Sequence, residues 1–223
     1  MKILLISDKE EKGLWDYFKK EKLKGVDCII SCGDLDPRYL EFLETMSDLP
    51  LLYVRGNHDQ IYDEIPPGGC DCLEDTVITV NGYRIAGLGG SIRYKDGTCM
   101  YTEREMEKRI RNLRRKIKKE GPVDILVTHA PAKGYGDLPD FAHQGFACFT
   151  KLLEEENIPY MCFGHVHAEY GRFKRIYDHP RTKIINAYET YVLELPDKEM
   201  TSEERKRKPT WFDRRNASYE SGN

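Results

Sequence analysis

The chain reads as an α/β protein, and three observations predict it. Short apolar runs alternate with charged, helix-like segments in the first third of the sequence. An Asn-Gly pair joins two strand-like runs near the middle, and one later stretch repeats its apolar residues at helical spacing. Short buried strands separated by helices are the pattern of a parallel sheet with crossover connections.

The elements follow in order. Lys2 to Ser7 is an apolar strand, and Leu14 to Lys24 is a charged, aromatic-bearing helix. Asp27 to Ser31, Arg38 to Met46 and Leu51 to Val54 repeat the strand, helix, strand rhythm. Thr76 to Val80 and Tyr83 to Gly87 flank Asn81-Gly82, a hairpin signal because a type I′ turn needs positive φ at both central residues. Met106, Ile110, Leu113 and Ile117 mark one amphipathic helix from about Thr102 to Lys119, stopped by Gly121-Pro122. Further strands are expected at Val123 to Thr128, Pro159 to Phe163, Gly171 to Tyr177, Lys183 to Ala187 and Tyr191 to Leu195, with a helix near Gly145 to Glu156. The two halves read as two layers joined into one domain over residues 1–196.

Residues 197–223 are charged and poor in apolar side chains, so they read as a tail. Trp211 and Phe212 within it are expected to dock on the domain, or on a second copy in a homo-oligomer. With 223 residues the chain is long enough for one large core. A net charge of −3 and a mean hydropathy of −0.65 exclude a polycation and a membrane-embedded chain. A cytoplasmic location is expected. The seven cysteines are an odd number without a CxxC pair, so they read as small buried hydrophobes rather than a disulfide frame.

The chemistry sits where the strands end. Strand one runs into Ser7-Asp8, strand two into Gly33-Asp34, and strand three into Arg55-Gly56-Asn57-His58-Asp59. Val123 to Thr128 runs into His129, and Pro159 to Phe163 into Gly164-His165-Val166-His167. Carboxyl ends of strands share one edge of an α/β sheet, and ligands bind there. Taken singly, an aspartate caps the next helix and a histidine is a hydrogen-bonded core residue. Five such ends together make a nitrogen and oxygen ligand set for one or two divalent cations, because buried carboxylates and imidazoles cost free energy unless partnered.

These blocks resemble the calcineurin-like metallophosphoesterases, whose pattern is D-x-H, GD, GNH followed by D or E, a lone H, and GHxH. Here it reads Asp8-Lys9-Glu10, Gly33-Asp34, Gly56-Asn57-His58-Asp59, His129 and Gly164-His165-Val166-His167, in the family's order over roughly residues 2 to 195. Ala130-Pro131 and Asn186 look like the smaller bacterial members. The resemblance implies a two-sheet sandwich flanked by helices. It also implies two divalent metal ions (Mn, Fe or Zn) bridged by Asp34. One would take Asn57, His129 and His165; the other would take Asp8, His167 and the histidine of D-x-H.

Glu10 stands at that last position. On an extended segment residues i and i+2 face one side, so Glu10 is expected to replace the imidazole and to favour Mn, Fe or Mg. The implied function is hydrolysis of a phosphodiester or phosphomonoester by metal-bound hydroxide. His58 would be the general acid or base, and Asp59 would orient His58 or a ligand. Arg55 and His143 are expected near the phosphate. Two rivals remain at this point: a scaffold that keeps the fold without turnover, and a nuclease or RNA-processing component. The second would use the basic residues Arg111, Arg114, Arg115, Lys116, Lys118, Lys119 and Arg205 to Lys208.

Overall fold

The computed structural model describes residues 1–171 and 173–198. In chain order it has β1 (Lys2–Ser7), β2 (Cys28–Ser31), α1 (Pro37–Ser47), β3 (Leu51–Tyr53) and β4 (Asp71–Cys72). Next come β5 (Val77–Val80), β6 (Tyr83–Leu88), β7 (Ser91–Ile92), β8 (Met100–Tyr101) and α2 (Glu103–Glu120). The rest are β9 (Ile125–Thr128), α3 (Ala147–Glu155), β10 (Tyr160–Phe163), β11 (Ile176–Asp178), β12 (Lys183–Asn186) and β13 (Glu189–Glu194).

One sheet has the order β13-β1-β2-β3-β4 and the other β11-β12-β10-β9-β6-β5. β1, β2, β3 and β4 are mutually parallel, as are β6, β9, β10 and β12, while β13, β5 and β11 are antiparallel additions. A core of Ile3, Leu5, Ile30, Leu52 and Val54 from the first sheet meets Ile85, Ile125, Val127, Cys162 and Ile185 from the second. That interface covers one face of the central parallel strands, and the helices cover the other, so these strands are apolar on both faces. Outside the first sheet, Leu40 and Leu43 of α1 cover Leu4, Ile6 and Ile29. Outside the second, Met106, Ile110 and Leu113 of α2 and Phe149 and Leu152 of α3 cover Leu126, Met161 and Ile184. The architecture is a two-sheet sandwich flanked by helices, as expected.

Local chemistry sets the helix ends. Asp36 caps α1 by accepting from Arg38 N–H at 2.8 Å, with Pro37 in the first turn, and Asp48 ends it in the left-handed region. α2 opens on a capping box between Thr102 and Glu105 and stops at Gly121. Asn81 and Gly82 take φ 47° and 78°, the signs that a type I′ turn requires.

Two expectations fail. Residues 14–24 form no α-helix but two 3-10 turns, Lys12–Leu14 and Lys20–Leu23. Lys20 and Lys24 would repel at i,i+4 on a helix, whereas the turns let Trp15 and Phe18 pack edge-on against Tyr39 and Phe42. The strand expected from Gly171 starts only at Ile176; just before it, the Arg175 carbonyl accepts from Asn186 N–H at 2.9 Å while its guanidinium donates to the Asn186 and Tyr188 carbonyls. β4, β7 and β8 have two residues each and were not anticipated. The tail, including Trp211 and Phe212, lies outside the described residues beyond position 198. No helix among the described residues is long and apolar enough to cross a membrane.

Candidate active site

The five polar strand ends meet along one edge of the sandwich. Asp8 follows β1 at φ 65°, Asp34 follows β2 at φ 57°, and His165 follows β10 at φ 66°. Left-handed backbone at a non-glycine residue costs about 1 kcal/mol or more, and its repetition at three site residues is the kind of strain that functional sites store. Two glycines allow the close approach. A Cβ on Gly56 would lie 2.0 Å from Asp34 Oδ1, and one on Gly164 would lie 1.9 Å from Ser7 Oγ.

The ring protons of two histidines are turned away from the centre. His129 is fully buried, and its Nδ1–H donates to the Cys32 carbonyl at 2.8 Å. Its Nε2 then faces two acceptors, Asn57 Oδ1 at 3.0 Å and Asp34 Oδ2 at 3.3 Å. His165 Nε2–H donates to the Ala142 carbonyl at 2.8 Å, which leaves the Nδ1 lone pair free. Ligand atoms of Asp34, His129 and His165 lie within 4.8 Å of one another. Asn57 turns its Oδ1 inward because its Nδ2–H donates to the Tyr94 hydroxyl at 3.3 Å.

An Nε2 facing only acceptors must either carry a second proton or give its lone pair to a cation. Burial pushes the His129 pKa down, but the Asp34 carboxylate outweighs it and raises the value to about 10. Asp34 resists its own burial through the same pair and is held well below the carboxylate range. His165 goes the other way: burial, then the His129 charge, lowers it to about 4, so it stays neutral. A divalent cation fits this donor set, because it takes the place of the His129 proton and gives every lone pair a partner.

A second group adjoins the first. The Asp8 carboxylate accepts from His165 N–H at 2.9 and 3.0 Å and lies 3.4 Å from His167 Nε2. The His167 ring is stacked between Tyr170 and Tyr188, at 4.7 and 4.9 Å between centroids. The Tyr188 hydroxyl donates to Glu169, and Asn186 bridges Val166 O to Tyr188 N–H, so the turn after β10 is tied to β12.

Glu10 lies elsewhere. The segment after β1 is not extended: Lys9 N–H bonds back to Ser7 O at 2.7 Å, closing a turn at Asp8. Same-side placement of residues 8 and 10 therefore does not apply. Glu10 is raised by burial and by the Asp36 charge, and the other charges acting on it are Arg38 and Asp16. The tight group of ligand atoms is that of Asp34, His129 and His165; Glu10, like Asp8 and His167, lies outside it.

His58 is exposed on the turn after β3, and its backbone N–H donates to Asp34 Oδ1 at 2.8 Å. Asp59 is buried, and its Oδ2 accepts from Asp34 N–H at 2.9 Å and Gly56 N–H at 2.7 Å. Burial and the Asp34 charge raise its pKa to about 7. Its recorded partners are thus the backbone around Asp34, and none is the His58 ring. Arg55 spends its guanidinium on Asp63 at 2.7 Å and on Asp59 O at 2.8 Å. His143 reaches the edge of the site: its Nδ1 bonds Asp140 at 2.8 Å, and its ring is 5.2 Å from that of His165.

Sequence reasoning missed the carbonyls of Cys32 and Ala142, the Tyr94 hydroxyl, the tyrosines around His167, and Glu74. Glu74 accepts from Arg55 N–H at 2.8 Å and from Gly89 N–H at 3.3 Å, and it pairs with Arg109 of α2. No local pattern announces these partners; except for Tyr170, three residues after His167, they come from segments distant in sequence from the groups they meet. The basic half of α2 is also less free than its composition suggests. Arg114 pairs with Glu155 and Glu156, Arg111 lies 3.9 Å from Glu107, and Lys116 donates to Asp75 O.

The fold and site define a two-sheet α/β protein with a centre suited to divalent cations. The calcineurin-like phosphoesterase family model matches residues 1–169, and the chain belongs to that family. Membership makes it a metal-dependent phosphoesterase in the general sense. It is similar to the UPF0046 protein K07C11.7 of Caenorhabditis elegans, at 24% identity over 222 residues, covering 84% of this chain and 69% of that protein. In fold it is similar to a dimetal phosphatase from Danio rerio, with a TM-score of 0.56 and 13% identity over 86% of this chain and 91% of the other.

Proposed function

We propose that this chain hydrolyses a phosphate diester or monoester at a centre of two divalent cations. Asp34, Asn57, His129 and His165 would hold one cation, and Asp8, Asp34 and His167 the other. The observation that carries the reading is the convergence of the Asp34, Asn57 and His129 acceptors, with the ring protons of His129 and His165 turned outward onto carbonyls. Bound cations of this kind neutralise an anionic ester and lower the pKa of water.

The chain's own residues do the rest. Asp59 holds the Asp34 and Gly56 backbone, so that Asp34 stays between the two ligand groups. His58, at the rim and outside the ligand set, hands a proton to the leaving oxygen. Glu10 stays outside the ligand set, which leaves the Asp8–His167 position the more open of the two. Mn, Fe and Zn all suit such mixed nitrogen and oxygen ligands.

The test is hydrolysis of bis(p-nitrophenyl) phosphate by protein stripped of metal and reloaded with Mn. Turnover should appear only on reloading, and His58→Ala should abolish it with metal content unchanged. Bound Mn without turnover in the parent protein would refute the enzyme reading in favour of a metal-binding scaffold.

A further inference from the structure

The loop of residues 93–99, between β7 and β8, carries a hydroxyl that reaches the site. Its two ends are pinned: Ser91 N–H donates to Cys99 O at 3.0 Å, and Arg93 N–H donates to Tyr101 O at 3.0 Å. The Arg93 guanidinium adds bonds to Met100 O and to Glu105 at the start of α2. From this anchored loop, half-buried Tyr94 accepts the Asn57 Nδ2–H at 3.3 Å.

The valence of that hydroxyl decides its use. An amide N–H can only donate, so the phenol oxygen is the acceptor in this bond and its own proton is left over. No acceptor for that proton is recorded among the described residues. Asn57 Nδ2 and Oδ1 are the two ends of one amide, so the hydroxyl is one hydrogen bond away from the side chain whose Oδ1 faces His129 Nε2. Lys95 stands beside it, with Nζ 5.3 Å from the centre of the Tyr94 ring.

Arg55, on the turn that carries Asn57, has its terminal nitrogens on Asp63 and the Asp59 carbonyl, and its Nε is buried. We propose that Tyr94 is a substrate-binding residue whose hydroxyl donates to a non-bridging phosphoryl oxygen while its lone pair holds the Asn57 amide in orientation. The inference rests on the phosphoesterase reading for its substrate, and its test is chosen to separate the two.

Tyr94→Phe removes the hydroxyl and keeps the ring. Inorganic phosphate binding to the Mn-saturated protein, followed by titration calorimetry, reads the contact without turnover. A hydrogen bond to a charged group is worth about a ten- to hundred-fold in affinity, so the phosphate Kd should rise by that factor. KM for bis(p-nitrophenyl) phosphate should rise with it at saturating Mn, while the thermal midpoint stays within about 2 °C, as for a change outside the core. An unchanged phosphate Kd would overturn the proposal. So would a loss of Mn affinity with phosphate binding intact once Mn is saturating, because Tyr94 would then only position Asn57. Parent protein that binds phosphate without turnover would defeat the enzyme reading and still leave Tyr94 decided by the phosphate Kd.

Discussion

Gly164→Ala isolates how tightly β10 must approach β1. The new Cβ would sit 1.9 Å from Ser7 Oγ, 2.6 Å from Asp8 Oδ2 and 2.9 Å from Ser7 Cβ. To reach ordinary contact at 3.4 Å, the two strand ends must separate by about 1.5 Å. Neither side can yield cheaply, because Ser7 is fully buried and its hydroxyl donates to Gly33 O at 3.1 Å. The same separation stretches the His165 N–H bonds to Asp8 from 2.9 and 3.0 Å to beyond hydrogen-bonding range. Overpacking costs about 1–3 kcal/mol, and losing a bond to a buried carboxylate adds roughly 1.5–3 kcal/mol. The expected destabilisation is therefore about 3–5 kcal/mol, or a fall in midpoint on the order of 10 °C for a chain of this size. Urea unfolding monitored by circular dichroism gives the free energy, and Mn binding should weaken because Asp8 and His165 move apart. Gly25→Ala is the control: its φ is 78° with nothing within 4 Å, so it should cost about 1 kcal/mol and leave Mn binding alone. Gly164→Ala within 1 kcal/mol of the parent would refute the packing argument.

Three further outcomes are expected. Glu10→Ala should leave Mn stoichiometry unchanged by atomic absorption, and loss of one equivalent would return Glu10 to the ligand set. Glu74→Gln keeps an acceptor for Arg55 N–H but removes one of the two carboxylates that face half-buried Arg109, so it should cost about 1.5 kcal/mol in urea unfolding. A cost under 0.5 kcal/mol would mean that Asp75 alone satisfies Arg109. Of the seven cysteines only Cys72 is exposed as a residue, and partial desolvation of its sulfur, with the Glu74 charge beside it, raises its pKa. Iodoacetamide should therefore label Cys72 first. Its rate should still be climbing at pH 9, and a plateau below pH 8.5 would contradict the raised pKa.

The sequence by itself determined the frame. The central parallel strands β1, β2, β3, β9 and β10 could be read as apolar runs because both of their faces are covered, and the residues that follow them were chemically out of place in a core. Asn81-Gly82 and Gly121-Pro122 marked a turn and a helix stop because their backbone preferences act locally. Residues 14–24 were misread because lysine and aromatic content cannot distinguish a helix from turns whose shape is set by packing on Tyr39 and Phe42. Asp8, Asn57 and His129 likewise stand out in the sequence, but which of their atoms face inward does not. That was decided by groups far away in the chain: Cys32 O for His129, Ala142 O for His165, and Tyr94 for Asn57. It also required the turn at Asp8, which breaks the same-side placement of residues 8 and 10. Backbone propensity and hydrophobic pattern are short-range and leave a trace in neighbouring residues. The direction of a lone pair depends on whichever donor or acceptor the completed fold brings beside it.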